Sequence, residues 1–258
     1  MVIKELEVML IRHCHENIYT GTKNTEQLKT ALATVKPAGW TPIGKVLSAT
    51  KEDIPENADS MIVYVVSDGI ETCGGDPVAE AKKLAAEGIE PIINIIGFQV
   101  DNEAQQLLKQ VAEAGNGEFT FANSKQDLDK YWKEEYKRLS EAWEQWRNAG
   151  MEAASKKQKE LMDKADATGA SIMDKSEEEF KRAEDLLQEL FDKGIIEDYK
   201  NRTAIWQMLY QRQQDVWRYG YHTKTGKWRE AYYNGNEEWR RIYYEGNAKW
   251  REFYYKRR

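Results

Sequence analysis

Cysteine, histidine and proline are scarce in these 258 residues, with two Cys, three His and five Pro. So few cysteines exclude a small disulfide-stapled scaffold, and a chain of this length can bury a core without one. Histidine offers little for a soft-metal centre. Two of the three sit in His13-Cys14-His15, where strand neighbours point to opposite faces and no fourth ligand has suitable spacing. His222 stands in a polar stretch without a catalytic partner, and no nucleophile, base and orienting group occur together. An enzyme is therefore the least expected class. No run of about eighteen apolar residues exists, which excludes a transmembrane helix, and the start lacks the basic-then-apolar layout of a signal peptide. Taken literally, such a chain stays in the compartment where it is made.

Charge and pattern are unevenly spread. Residues 1–132 hold 12 Lys and Arg against 20 Asp and Glu, whereas 133–258 hold 26 against 24. The overall formal charge of −6 belongs to the first part, where it serves solubility. Strand signals also stop near Trp132. Before it, Glu7–Ile11 reads as a strand, 25–35 as a helix through Leu28, Leu32 and Val35, and 41–49 as a helix with Pro42 in its first turn. Ile62–Val66 is a continuous apolar run, as a strand covered on both faces should be. A helix over 77–86, a strand over 92–96, a helix over 103–114 and a strand over 117–122 complete an alternation that predicts parallel crossovers. The expected fold class is α/β: a partial doubly wound, mostly parallel sheet over 1–132, followed by an α-helical region.

The most informative stretch is Met61–Pro77, where a buried strand runs into Ser67-Asp68-Gly69. In open α/β sheets, ligands bind beyond the carboxyl ends of the strands. Upstream, Gly39-Trp40-Thr41-Pro42-Ile43 puts a hydroxyl before an apolar helix, and an Asp carboxylate with a Thr oxygen suits a hard cation. Gly74-Gly75 before a helix suggests positive φ in the turn ahead of an anion cradle.

These segments, with Glu71-Thr72-Cys73-Gly74-Gly75-Asp76-Pro77 and Ile95-Ile96-Gly97-Phe98, resemble a bacterial von Willebrand factor type A domain of the extracytoplasmic Gram-positive kind. The likeness covers roughly the first half of the chain. It implies a metal-ion-dependent adhesion site, built in that family from an Asp-x-Ser-x-Ser loop with a Thr and an Asp from two later loops, and Thr41 and Asp68 match the later two. It also implies a Cys14–Cys73 disulfide, Mg²⁺ as cofactor, a protein partner and a location outside the cytoplasm. No Asp-x-Ser-x-Ser occurs in the chain. Three accounts follow in order of preference: a fragment of a longer gene, a central strand supplied by another segment, or a dead metal site. Mg²⁺ binding is expected to be weak or absent, because that ion demands a nearly complete octahedral shell.

Beyond Trp132 the pattern is helical. Ser124 caps a helix reaching Gly150, and helices over 152–165 and 177–193 follow, with 166–174 as the expected break and Gly194 as the terminator. The minimal arrangement for 133–205 is a helical hairpin or bundle. The tail, 206–258, carries a repeat: Trp206, Trp217, Trp228, Trp239 and Trp250 recur every eleven residues, each with a Tyr four places on. Such pairs share a helix face, and eleven residues make nearly three turns. A β-meander turning at Asn234-Gly235 and Glu245-Gly246 competes with the helix, which is the first reading. The tail has 12 Lys and Arg against 6 Asp and Glu, with 15 aromatics, but forms no recognisable nucleic-acid module. The leading expectation is a non-enzymatic protein-binding or adhesion-type module on a helical spacer. The alternative is a structural, envelope-associated protein whose Trp217, Trp228, Trp239 and Trp250 bind an anionic cell-wall polymer or glycan.

Overall fold

The structure, a computed structural model, describes residues 10–12, 16–19, 25–33, 39–53, 61–87 and 91–256. Two strands, β1 (Leu10–Arg12) and β2 (Glu16–Tyr19), pair antiparallel with Ile11 opposite Asn17. Helices α1 (Thr25–Ala33) and α2 (Ile43–Thr50) precede a parallel sheet of β3 (Ile62–Ser67), β4 (Ile92–Phe98) and β5 (Phe119–Ala122), in that spatial order. Helix α3 (Pro77–Ala85) links β3 to β4, and α4 (Asn102–Ala114) links β4 to β5. The chain is therefore α/β with a small parallel sheet, and two long helices follow: α5 (Lys125–Asp192) and α6 (Tyr199–Lys256).

The core lies on one face of the sheet. Ile93 and Ile95 of β4, Ile43 and Leu47 of α2, Ala81 and Leu84 of α3, and Leu108 and Val111 of α4 form one buried cluster. Fully burying an Ile or Leu contributes about 1.5–3 kcal/mol, so this cluster holds the three helices to the strands. On the alternate side chains of β3, Tyr64 packs on Trp132 of α5, with ring centroids 5.2 Å apart. Its hydroxyl donates to the Glu135 carboxylate, which also receives Arg138 Nε at 2.8 Å.

Several local expectations change. Val66 is 55% exposed, so β3 is not covered on both faces; among the described residues it has a strand neighbour on one side only. Helix α2 starts at Ile43, leaving Thr41 and Pro42 outside, because the backbone of Thr41 is bonded across to the next loop. The described part of the first strand, Leu10–Arg12, reaches one residue past the expected end at Ile11. Residues 7–9, His13-Cys14-His15 and Gly88 lie outside the described residues.

The break expected at 166–174 does not exist, since α5 runs through it. Gly169 is there for space. A methyl group on it would stand 2.3 Å from the Lys224 Cβ and 2.9 Å from the Gly220 carbonyl oxygen. The tail is helix throughout α6. Glycine in a helix interior costs about 1 kcal/mol, and here close contact with α5 offsets it: a Cβ on Gly235 would meet Gln158, and one on Gly246 would meet Arg147. Gln158 Nε2 instead donates to the Tyr232 carbonyl at 2.8 Å and to Asn236 at 3.3 Å, while Arg147 donates to Asn247. Ser124 caps α5, accepting from the Asp127 amide at 3.2 Å, and Gly194 closes it at φ 67°.

Contacts divide the chain into two compact units, one comprising residues up to Ala142 with those from Phe253 onward, the other Trp143–Glu252. In the first, Tyr136 stacks on Phe253. In the second, α5 and α6 form an antiparallel hairpin, with Gly150 opposite Ile242 and Gly220 opposite Ile172.

Candidate functional site

The loop after β3 is built by its own short-range bonds. Ser67, buried at the strand end, donates its hydroxyl to the Gly69 carbonyl at 2.9 Å, closing a tight turn that leaves Asp68 on the surface. Gly74 takes φ 72°, the left-handed conformation expected of it. Asp76 then accepts from the Ala79 amide at 3.0 Å, capping α3, with Pro77 in its first turn.

This loop is clasped to the one before α2. The Thr41 amide donates to Thr72 Oγ1 at 2.6 Å, and the Thr72 amide donates to the Thr41 carbonyl at 3.0 Å. Glu71 makes the second clasp, accepting from the Gly44 amide through Oε2 at 2.8 Å and from the Cys73 amide through Oε1 at 2.6 Å. The Gly44 amide is one of the unpaired donors in the first turn of α2, where a carboxylate also meets the positive end of the helix dipole. Gly44 and Gly75 let the backbones touch, a Cβ on Gly75 standing 3.4 Å from the Gly44 Cα.

Thr41 and Asp68 are thus brought to one place: Thr41 Oγ1 lies 3.5 Å from where a Cβ on Gly69 would stand. Asp68 is exposed and makes no hydrogen bond or ion pair among the described residues. Both oxygens of Glu71 accept from backbone amides and the Ser67 hydroxyl donates within the turn, so among the described residues of these loops the Asp68 carboxylate and the Thr41 hydroxyl are the side-chain oxygens left for a cation, which would draw its other oxygens from water. Among the described residues no group of three or more His, Cys, Asp or Glu could hold a metal ion. Cys14, the expected partner of Cys73 in a disulfide, lies outside the described residues. Glu71 is the residue that sequence reasoning missed. Its signal was its place in the Asp-Gly-Ile-Glu-Thr loop, but its role depends on Gly44, twenty-seven residues away.

A second candidate surface lies on α6. Trp217–Tyr221, Trp228–Tyr232 and Trp239–Tyr243 are stacked pairs, with centroids 5.3–5.7 Å apart and ring planes within 10°. These pairs are not the buried seam. The residues of α6 hidden from solvent are Gly220, Ala231, Ile242, Gly246 and Phe253, whereas the tyrosines of the pairs stay 38–47% exposed. The hairpin also has a groove of about 610 Å³ floored by Ala154, Ala165, Ala231 and Gly235 and rimmed by Lys157, Lys227 and Glu238.

Among the described residues no helix is long and apolar enough to cross a membrane. No protein-family signature matches the chain, and no solved structure matches it. Two proteins of Bacillus subtilis (strain 168) are similar: the uncharacterized protein YwmD, 43% identical over 113 residues, which are 43% of this chain and 50% of that one, and the uncharacterized protein YwmC, 34% identical over 119 residues, 45% and 52%. The chain spans about half the length of these curated relatives.

Proposed function

We propose that this chain is a non-enzymatic, adhesion-type protein-binding module of von Willebrand type A character, which contacts its partner through the clasped Thr41 and Asp68 loops and carries them on a helical hairpin. The supporting observation is that the Thr41 hydroxyl lies against Gly69, next in sequence to Asp68, at the carboxyl end of a parallel strand, where Asp68 is exposed and makes no hydrogen bond or ion pair among the described residues. A rigid loop with an exposed carboxylate suits recognition of a cationic or hydrogen-bonding surface on another protein. Contact through protein groups alone is the expected mode, because the incomplete oxygen shell binds Mg²⁺ weakly or not at all. Titration calorimetry of the full chain with Mg²⁺ should show little or no heat. Tight, saturable binding that Asp68→Ala abolishes would overturn the incomplete-site reading.

A further inference from the structure

We infer that the hairpin of α5 and α6 pairs with a second copy of this chain, related by a two-fold axis along the hairpin, and that matched ladders of charge set the register. Within the unit Trp143–Glu252, α5 repeats with the same eleven-residue period as α6. Its stripe of small or apolar residues is Trp143, Ala154, Ala165, Ser176 and Leu187, of which all but Ala154 are fully buried. The sequence hides this repeat because the residue types vary.

Relative to the two stripes, equivalent positions on the helices carry opposite chemistry. Two residues before each of Gly220, Ala231 and Ile242 stands an arginine: Arg218, Arg229 and Arg240. Two residues before each of Ala154, Ala165, Ser176 and Leu187 stands an acid: Glu152, Asp163, Asp174 and Asp185. Three residues before the stripe, α6 has Trp217, Trp228 and Trp239, and α5 has Met151, Met162 and Met173. Among the described residues no ion pair within 4.0 Å engages Arg229 or Arg240, nor any of these four acids; Arg218 pairs with Asp215 and donates to the Gln214 carbonyl.

Two antiparallel helices exchange under a half-turn about an axis perpendicular to both, so equivalent positions face the same side of a hairpin. That side therefore presents a tryptophan and an arginine ladder on one helix and a methionine and an acidic ladder on the other. Turning a second copy half a revolution about the long axis lays its α5 antiparallel along this α6. Tryptophans then meet methionines, a favourable sulfur–aromatic contact, and arginines meet acids. No sliding is needed. Gln158 lies opposite Gly235 and Gly169 opposite Lys224, which puts Arg229 level with Asp163 and Arg240 level with Glu152, so the second copy presents those acids at the right heights. Each ladder repeats every ~16.5 Å, at 1.5 Å per residue. An anionic polymer would match the arginines but be repelled by the adjacent acids.

Sedimentation velocity of the full chain should give twice the 30.0 kDa monomer mass. The double variant Arg229→Glu/Arg240→Glu should weaken association by on the order of 100-fold, as like charges then face each other, with the far-UV circular dichroism unchanged. Glu152→Arg/Asp163→Arg should do the same, and mixing the two variants should restore the dimer. A wild-type monomer at every concentration, a dimer indifferent to both reversals, a mixture that fails to recover, or a monomer that takes up heparin instead would each overturn the inference.

Discussion

At the scale of single residues, two carboxylates carry more structure than their surroundings suggest. Glu71 accepts from two backbone amides, and charge-assisted bonds of this kind contribute roughly 1.5–3 kcal/mol. Glu71→Ala would leave the Gly44 and Cys73 amides to find water, so a loss of about 1–3 kcal/mol is expected, read as a lower urea midpoint. Glu135 is the second. Burial works against its charge, but bonds from Arg138 and Tyr64 outweigh burial, and its pKa falls below the usual carboxylate value. Burial first, and then the bond to Glu135, pushes the Tyr64 phenol above its ordinary range. The signs follow directly. Glu135 contributes stability above its unfolded pKa of about 4.3, lost as pH falls through the lower folded value; Tyr64 contributes below about 10, lost as pH rises through its raised folded value. Urea midpoints measured against pH should therefore drop at both ends, and Glu135→Gln should flatten the acid limb.

At the scale of elements, the seam between α5 and α6 turns glycine from a breaker into a packing device. The two helices carry glycines in contrasting settings, so the same substitution should have opposite signs. Gly226 has nothing within 4 Å of a Cβ position, and Gly226→Ala should stabilise by up to about 1 kcal/mol through helix propensity. Gly169→Ala gains the same propensity but drives a methyl into Lys224 and the Gly220 carbonyl, so a net loss of about 1–3 kcal/mol is expected. Thermal melts followed at 222 nm compare the two directly. Legibility at this scale was uneven. The strands β4 and β5, helix α4, the Ser124 cap and the Gly194 stop all announce themselves through local chemistry. The continuity of α5 through Gly169 does not, because the group that justifies the glycine stands on Lys224 of another helix.

At the scale of the whole molecule, the chain divides into a sheet unit and a helical unit, and each exposes a surface that its own core leaves unused. The sheet unit offers Asp68 beside Thr41. The helical unit offers a face of half-exposed aromatics flanked by Arg229, Arg240 and acids that make no ion pair among the described residues, and self-association is the prediction that belongs to this scale. The exposed Val66 on β3 fits the same picture, since the described residues provide a strand neighbour on one side alone. The relatives in Bacillus subtilis share the chain over about half their length.

The sequence by itself determined the alternation of strands and helices, the place of the loop after β3 and the eleven-residue period of α6, because each rests on local pattern: apolar runs, turn residues and helical spacing. Only the tertiary structure decided which groups of that loop are free, since Glu71 and Ser67 are occupied by amides and carbonyls the sequence does not place beside them. It also decided which face of α6 is buried. The tryptophans mark the period, but the seam runs through Gly220, Ala231 and Ile242, because the helices approach closest where a glycine on one faces a larger side chain on the other, as Gly220 faces Ile172 and Gly150 faces Ile242.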